Sequence, residues 1–224
     1  MKKRTKIITS SIFAILLILV IVGSTLYHHQ KRLEQQAVAR LKDLGADFGA
    51  AISIPDYLAH IFHLCHLPIP ASPIGSINDV GSDFCDEDMA LLRYCTKIGN
   101  LDLDRTQVSN LGLSYLKNFN KLTILELDTT NVTDAGLIHL KKLPKLGLIT
   151  LANTNISDTG LKHLSEIKSL RWIDVKNTNI SDIGISHLSN LPNLNRIDIE
   201  GTKVTRTGID RLKKANPAIE INGP

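Results

Sequence analysis

Two sets of histidines are where metal or acid–base chemistry could begin. His60, His63, Cys65 and His66 crowd one stretch, with His60 and His63 three apart and so on one helix face. Imidazole nitrogens and a thiolate are ligands that zinc takes. No second ligand pair stands at a fixed spacing elsewhere, so the stretch reads as a solvated helix face and no metal site is assigned. His139, His163 and His187 recur at one interval and would form a column, but duplicating a segment duplicates every residue in it. The chain offers no nucleophile–base pair and no glycine loop of the phosphate-binding kind. No catalytic residue and no cofactor are therefore assigned, and the chain is read as a non-enzyme. Asn131, Asn155 and Asn179 each begin an N-x-[ST] sequon, which the same duplication explains unless the host glycosylates exported proteins.

What must position these residues is a repeat. The segments IGNLDLDRTQVSNLGLSYLKNFNK from Ile98, LTILELDTTNVTDAGLIHLKKLPK from Leu122, LGLITLANTNISDTGLKHLSEIKS from Leu146, LRWIDVKNTNISDIGISHLSNLPN from Leu170 and LNRIDIEGTKVTRTGIDRLKKANP from Leu194 align without a gap. Their spacing of about 24 residues lies inside the window of leucine-rich repeats. The shared pattern L-x-x-L-x-L-x-x-T-x-[VI]-[ST]-[DN]-x-G-[LI]-x-x-L resembles that family, in a form that carries threonine where Asn or Cys is usual. The resemblance implies an α/β solenoid with a parallel sheet on the concave face and short helices on the convex face.

The physical pattern leads to the same place. Leu101/Leu103, Leu125/Leu127, Ile149/Leu151, Ile173/Val175 and Ile197/Ile199 are two apart, so both members of each pair point inward from a short strand. Leu137, Leu140 and Leu143, then Leu161, Leu164 and Ile167, switch to helical spacing. One strand–helix unit cannot bury both faces, so neighbours must stack. The glycines at 112, 136, 160, 184 and 208 recur early in each helix, where a side chain would crowd the adjacent coil. The threonines at 106, 130, 154, 178 and 202 are expected to be structural, bonding buried turn backbone from repeat to repeat, with Thr150 expected at the surface.

Upstream, FCDEDMALLRYC from Phe84 falls in the same register, placing Phe84, Met89, Leu92 and Cys95 on core positions. Its strand half, with Asp79 pointing inward, is degenerate. Residues 74–97 therefore read as a capping repeat, 98–217 as five repeats, and 218–224 as a last strand start with a tail. Residues 28–73 are a connecting module: a helix over 30–44 with Leu33, Ala37, Val38, Leu41 and Leu44 on its apolar face, a short strand within 47–54, a helix opened by Pro55, and a stiff join at Pro68, Pro70 and Pro73.

The basic flank of residues 1–6 precedes an apolar stretch over 7–27, which as a helix would rise about 31 Å and span a bilayer core. The reading is a retained transmembrane anchor. The alternative is a signal peptide cleaved near Val22-Gly23-Ser24, which would release an exported repeat protein. Lys2, Lys3, Arg4 and Lys6 before the span outweigh Lys31 and Arg32 after it, favouring a single-pass protein of the cell membrane with its repeats outside the cytoplasm. This layout is similar to that of bacterial membrane-anchored leucine-rich-repeat proteins. The repeat core is also similar to that of F-box substrate receptors, which makes a ubiquitin-ligase adaptor the competing function, although nothing here resembles an F-box.

The formal net charge of +4 vanishes once those four N-terminal residues are set aside, so nucleic acid is not an expected partner. Three cysteines cannot form a complete intrachain disulfide set. Cys95 reads as a buried thiol, with a Cys65–Cys95 bridge open if the domain is exported.

Function is then expected between the inward strand positions, on the open concave face. One column there reads Asp102, Glu126, Thr150, Asp174, Asp198, and the next Asp104, Asp128, Ala152, Lys176, Glu200. Beside them runs Asn100, Ile124, Leu148, Trp172, Arg196. Parallel strands lie about 4.8 Å apart, so Ile124, Leu148 and Trp172 form one apolar patch beside an acidic field. The solenoid does not require apolar residues there. The expected partner is a protein or peptide of basic or mixed charge that engages Ile124, Leu148, Trp172 and Arg196, with Asp102, Glu126, Asp128, Asp174 and Asp198 supplying attraction.

Overall fold

The computed structural model describes residues 76–223 except 79 and 93–96, together with 32, 36, 39, 40, 43, 47 and 48. The apolar stretch 7–27, the Pro55 helix, the proline join, the histidines at 60, 63 and 66, and Cys65 and Cys95 lie outside the described residues. Among the described residues no helix is long and apolar enough to cross a membrane.

Among the described residues eight strands form one sheet in chain order: β1 (Asp47–Phe48), β2 (Ser76–Asn78), β3 (Asn100–Asp102), β4 (Ile124–Glu126), β5 (Leu148–Thr150), β6 (Trp172–Asp174), β7 (Arg196–Asp198) and β8 (Glu220–Asn222). All neighbours are parallel except β1, which runs antiparallel to β2. Among the described residues six helices alternate with β2 to β8: α1 (Asp86–Leu92), α2 (Asn110–Ser114), α3 (Asp134–Leu137), α4 (Asp158–Leu164), α5 (Asp182–Ser186) and α6 (Arg206–Ala215). Helices α2, α3 and α5 tighten after one turn into 3-10 helices over Tyr115–Asn118, Ile138–Lys142 and His187–Asn190. The stripe of Leu137, Leu140 and Leu143 therefore spans two kinds of helix, and all three side chains are buried.

The paired strand residues behave as their period requires. Leu101, Leu125, Ile149, Ile173 and Ile197 pair with one another across β3 to β7 and are fully buried, as are Leu103, Leu127, Leu151, Val175 and Ile199. The capping repeat buries Phe84, Met89 and Leu92 as expected. Its strand half forms despite its degenerate sequence, because Ile77 occupies the inward position and pairs with Leu101. Arg32, Gln36, Ala39, Arg40 and Asp43 are helical and exposed, the complement of the apolar face predicted for 30–44. Arg40 reaches the buried carboxylate of Asp88 at 2.9 Å and so ties this segment to the cap.

The threonine hydroxyls act within their own turns and do not bridge repeats. Thr106, Thr130, Thr154, Thr178 and Thr202 donate to the carbonyls of Leu103, Leu127, Leu151, Val175 and Ile199 at 2.5–2.7 Å. Each sits just after the residue that reverses the chain in the left-handed region, at φ of 55–69° for Arg105, Thr129, Asn153, Asn177 and Gly201. The expectation of a hydroxyl ladder failed because a bond that recurs in every repeat has the same sequence period as one that joins repeats.

The ladder between repeats is carboxylate-based. Asp134 accepts from the Ser157 amide at 2.8 Å and from its hydroxyl at 2.5 Å, and Asp158 does the same for Ser181 at 2.8 and 2.6 Å. Asp86 and Asp182 serve Ser109 and Thr205 alike, while Asn110 takes the role toward Thr133. Ser109, Ser157 and Ser181 in turn cap α2, α4 and α5. This explains the helix glycines: a Cβ on Gly160 would lie 2.5 Å from Asp134 Oδ1.

Candidate functional site

Strand register puts the concave columns side by side as expected. Asn100, Ile124, Leu148, Trp172 and Arg196 are successive partners, and so are Asp102, Glu126, Thr150, Asp174 and Asp198. Because each strand is only three residues long, its middle side chain points into the core and its two outer ones stand on the concave face. Ile124, Leu148 and Trp172 are half-buried there and form one apolar strip across three coils.

Trp172 is locked in place by its neighbours. Its indole Nε1 donates to Asp198 Oδ2 at 2.5 Å, and the Arg196 guanidinium stands 4.4 Å from the ring centroid. Arg196 also reaches both oxygens of Asp198, at 3.1 and 3.2 Å, and Asn222 donates to Asp198 Oδ1 at 2.6 Å. Burial alone would raise the Asp198 pKa, but the bonds from Arg196, Asn222 and Trp172 hold the carboxyl below its ordinary range. A ring held by a cation on one face and a bonded edge presents a rigid surface at small entropic cost.

The acidic field is smaller than the sequence suggested. Asp198 is 2% exposed and Asp174 4%, the latter paired with Lys176 at 2.8 Å, so both carboxylates are already neutralised by partners within the chain. Thr150, expected at the surface, is buried and accepts from the Leu127 amide at 3.3 Å. Apart from the exposed Glu200 at the far end, what remains open is a quartet at the N-terminal end of the sheet: Asp102, Asp104, Glu126 and Asp128. Among the described residues none of the four forms an ion pair. Asp104 and Asp128 each accept a backbone N–H from the next coil, at 2.7 and 2.8 Å. Partial burial and then the like charges of Asp128 and Asp102 push Asp104 up to about 6. Burial followed by the same crowding raises Glu126, and burial raises Asp128.

A groove of about 660 Å³ opens where the chain enters β5 and β6, lined by Ile124, Leu148 and Trp172 of the apolar strip and by Lys145, Gly147 and Arg171 just before the strands. Its signal in the sequence was Gly147, which puts no side chain between Thr123 and Arg171 in its column. Among the described residues no cluster of His, Cys, Asp and Glu is disposed to hold a metal ion. His163 keeps Nδ1 buried without a partner.

No family model matches the chain, and no curated protein does. Solved structures do. An internalin (inlF) of Listeria monocytogenes superposes with a TM-score of 0.51 at 20% identity, over 59% of this chain and 36% of the internalin. An internalin C2 of the same organism gives a TM-score of 0.49 at 23% identity, over 60% and 55%, and a leucine-rich-repeat protein of Leptospira interrogans gives 0.48 at 17%, over 63% and 34%. The chain thus spans less than two-thirds of the length of each. Its parallel sheet and short helices are those of a leucine-rich-repeat solenoid.

Proposed function

We propose that the chain is a non-catalytic protein-interaction module that takes a protein or peptide partner on its concave face. The reading rests on one observation above all. Ile124, Leu148 and Trp172 stand half-exposed where packing does not call for apolar groups, directly beside four carboxylates without an ion pair among the described residues. Desolvating the strip supplies affinity, the fixed indole supplies an anchor, and the quartet attracts positive charge and speeds encounter. The partner surface accordingly carries an apolar group beside basic ones.

The test is panning of a peptide display library on the full chain, followed by Trp172→Ala. Removing the ring should weaken the selected binders about 30-fold, from the roughly 2 kcal/mol of an interface anchor, with circular dichroism unchanged because Asp198 retains Arg196 and Asn222. Binders indifferent to Trp172→Ala and sensitive to Lys142→Glu on the convex side would move the working surface to the helices.

The same proposal holds the module at a cell membrane through residues 7–27, with the repeats outside the cytoplasm. The length and apolarity of that stretch and the basic residues before it support this. The mature N-terminus, read by mass spectrometry, should be at or next to Met1. A terminus near Ser24 or Thr25 would mean a cleaved signal and a released protein.

A further inference from the structure

The sheet is electrically asymmetric along the strand direction, and the asymmetry says more about the partner than its basic character. At the strand starts, Lys145 and Arg171 are exposed and, among the described residues, form no ion pair. They line the same groove as Ile124, Leu148 and Trp172. Two residues further along the strands comes Glu126, then Asp128 beyond it. Positive rim, apolar strip and negative field therefore follow one another along the strand direction: Arg171 stands one residue before Trp172 and Lys145 three before Leu148, and Glu126 follows Ile124 by two residues, about 6.6 Å in a strand. Gly147 leaves the groove open between the cations, since a Cβ there would meet nothing closer than 3.7 Å.

We propose that the groove and the acidic quartet together bind one extended segment of mixed charge: an apolar side chain in the groove, an acidic residue two positions to one side over Lys145 and Arg171, and a basic residue two positions to the other side at Glu126 and Asp128. This deepens the concave-face reading and rests on it. In an extended segment alternate side chains face one way, so groups at i, i+2 and i+4 fall on one surface, and the long Lys145 and Arg171 side chains can meet the first of them while Glu126 and Asp128 meet the last. Neither charge alone explains the layout. A purely basic segment would place a cation over Lys145 and Arg171, and a purely acidic one would meet the quartet. Opposite charges on the two sides of one apolar residue satisfy both ends.

The test uses a displayed library of nine-residue peptides with a fixed central Phe and randomised flanks, panned on the full chain and on the full-chain Lys145→Glu, Arg171→Glu variant. The expected pool carries opposite charges two residues before and two after the Phe, and the variant selects basic residues on both sides. Within an enriched peptide, Glu→Gln should weaken binding to the parent chain about 2- to 5-fold, as for an exposed ion pair, and leave binding to the variant unchanged. A pool basic on both flanks of the Phe, lost with Trp172→Ala yet identical for the reversed variant, overturns this inference and leaves the concave-face reading standing. No enrichment over an unrelated protein overturns both.

Discussion

Gly184→Ala offers a sharp test of how the coils are joined, because propensity and structure predict opposite signs. Gly184 lies inside α5, where replacing glycine by alanine ordinarily stabilises a helix by about 0.5–1 kcal/mol. Here the new Cβ would overlap Asp158 Oδ1 and come within 3.1 Å of the Asp158 Cα. The carboxylate can rotate away, but only by releasing the Ser181 amide and hydroxyl that it holds at 2.8 and 2.6 Å. Bonds to a charged acceptor contribute about 1.5–3 kcal/mol. The net effect should be a loss of roughly 0.5–2.5 kcal/mol once the propensity gain is subtracted. For a chain of this size that lowers Tm by about 1–10 °C. Urea and thermal unfolding followed by circular dichroism would read it. The decisive comparison is a cycle with Asp158→Ala: once the carboxylate is gone the alanine has little to displace, so the two losses should fall short of additivity by about 0.5–3 kcal/mol. A stabilised Gly184→Ala protein, or strictly additive losses, would refute the claim that the glycine column exists to seat the acid of the preceding coil.

Two further outcomes follow from individual side chains. Thr154→Val keeps the shape of a buried residue but deletes the bond to the Leu151 carbonyl at 2.6 Å; unfolding midpoints should show a loss of about 1–3 kcal/mol, against a change within about 0.5 kcal/mol for the exposed Thr159→Val. Asp104→Asn preserves an oxygen for the Asp128 amide while removing a charge whose pKa is raised to about 6. A carboxyl raised in the folded state favours folding fully below its unfolded pKa, near 4, and loses that contribution as pH rises to about 6. The variant should therefore gain stability over the parent at pH 7 and gain least at pH 4, and a gap between the two proteins that is constant with pH would show that Asp104 titrates normally.

How much of this was legible in the sequence depends on the kind of relation. Everything that follows from period alone was readable: the inward pairs such as Leu125/Leu127, the concave columns, the cap built on Phe84, Met89 and Leu92. Bonds between side chains were not, because a column says which residues share a face and not which of them reach one another. Trp172, Arg196 and Asp198 were assigned to one partner-binding surface, yet the structure has Asp198 satisfied by the other two and by Asn222. The left-handed turn position was half legible: Asn153, Asn177 and Gly201 are residues that tolerate it, while Thr129 at φ 57° hides it behind a β-branched side chain. The acid of each [ST]-[DN] pair was visible as a pattern but silent as to its partner, which lies a full coil away.

The contrast between the two ends of the concave face bears most directly on function. Both ends place carboxylates in the same two columns, and both partly bury them. Toward the C-terminus the fold supplies Lys176 for Asp174 and Arg196 for Asp198, which leaves the exposed Glu200 as that end's carboxylate without an ion pair among the described residues, and Asp198 is held below its ordinary pKa. Toward the N-terminus Asp102, Asp104, Glu126 and Asp128 crowd together with no such partner among the described residues, and the pKa values of Asp104, Glu126 and Asp128 rise. A raised carboxyl pKa means the charged form, the one present at neutral pH, opposes folding. The architecture does not impose that cost, since the same columns are neutralised two coils on by a single Lys or Arg at a free position. An avoidable electrostatic penalty kept beside an apolar strip supports the proposal of a partner that brings the compensating charge, since proteins tolerate such penalties where binding requires them.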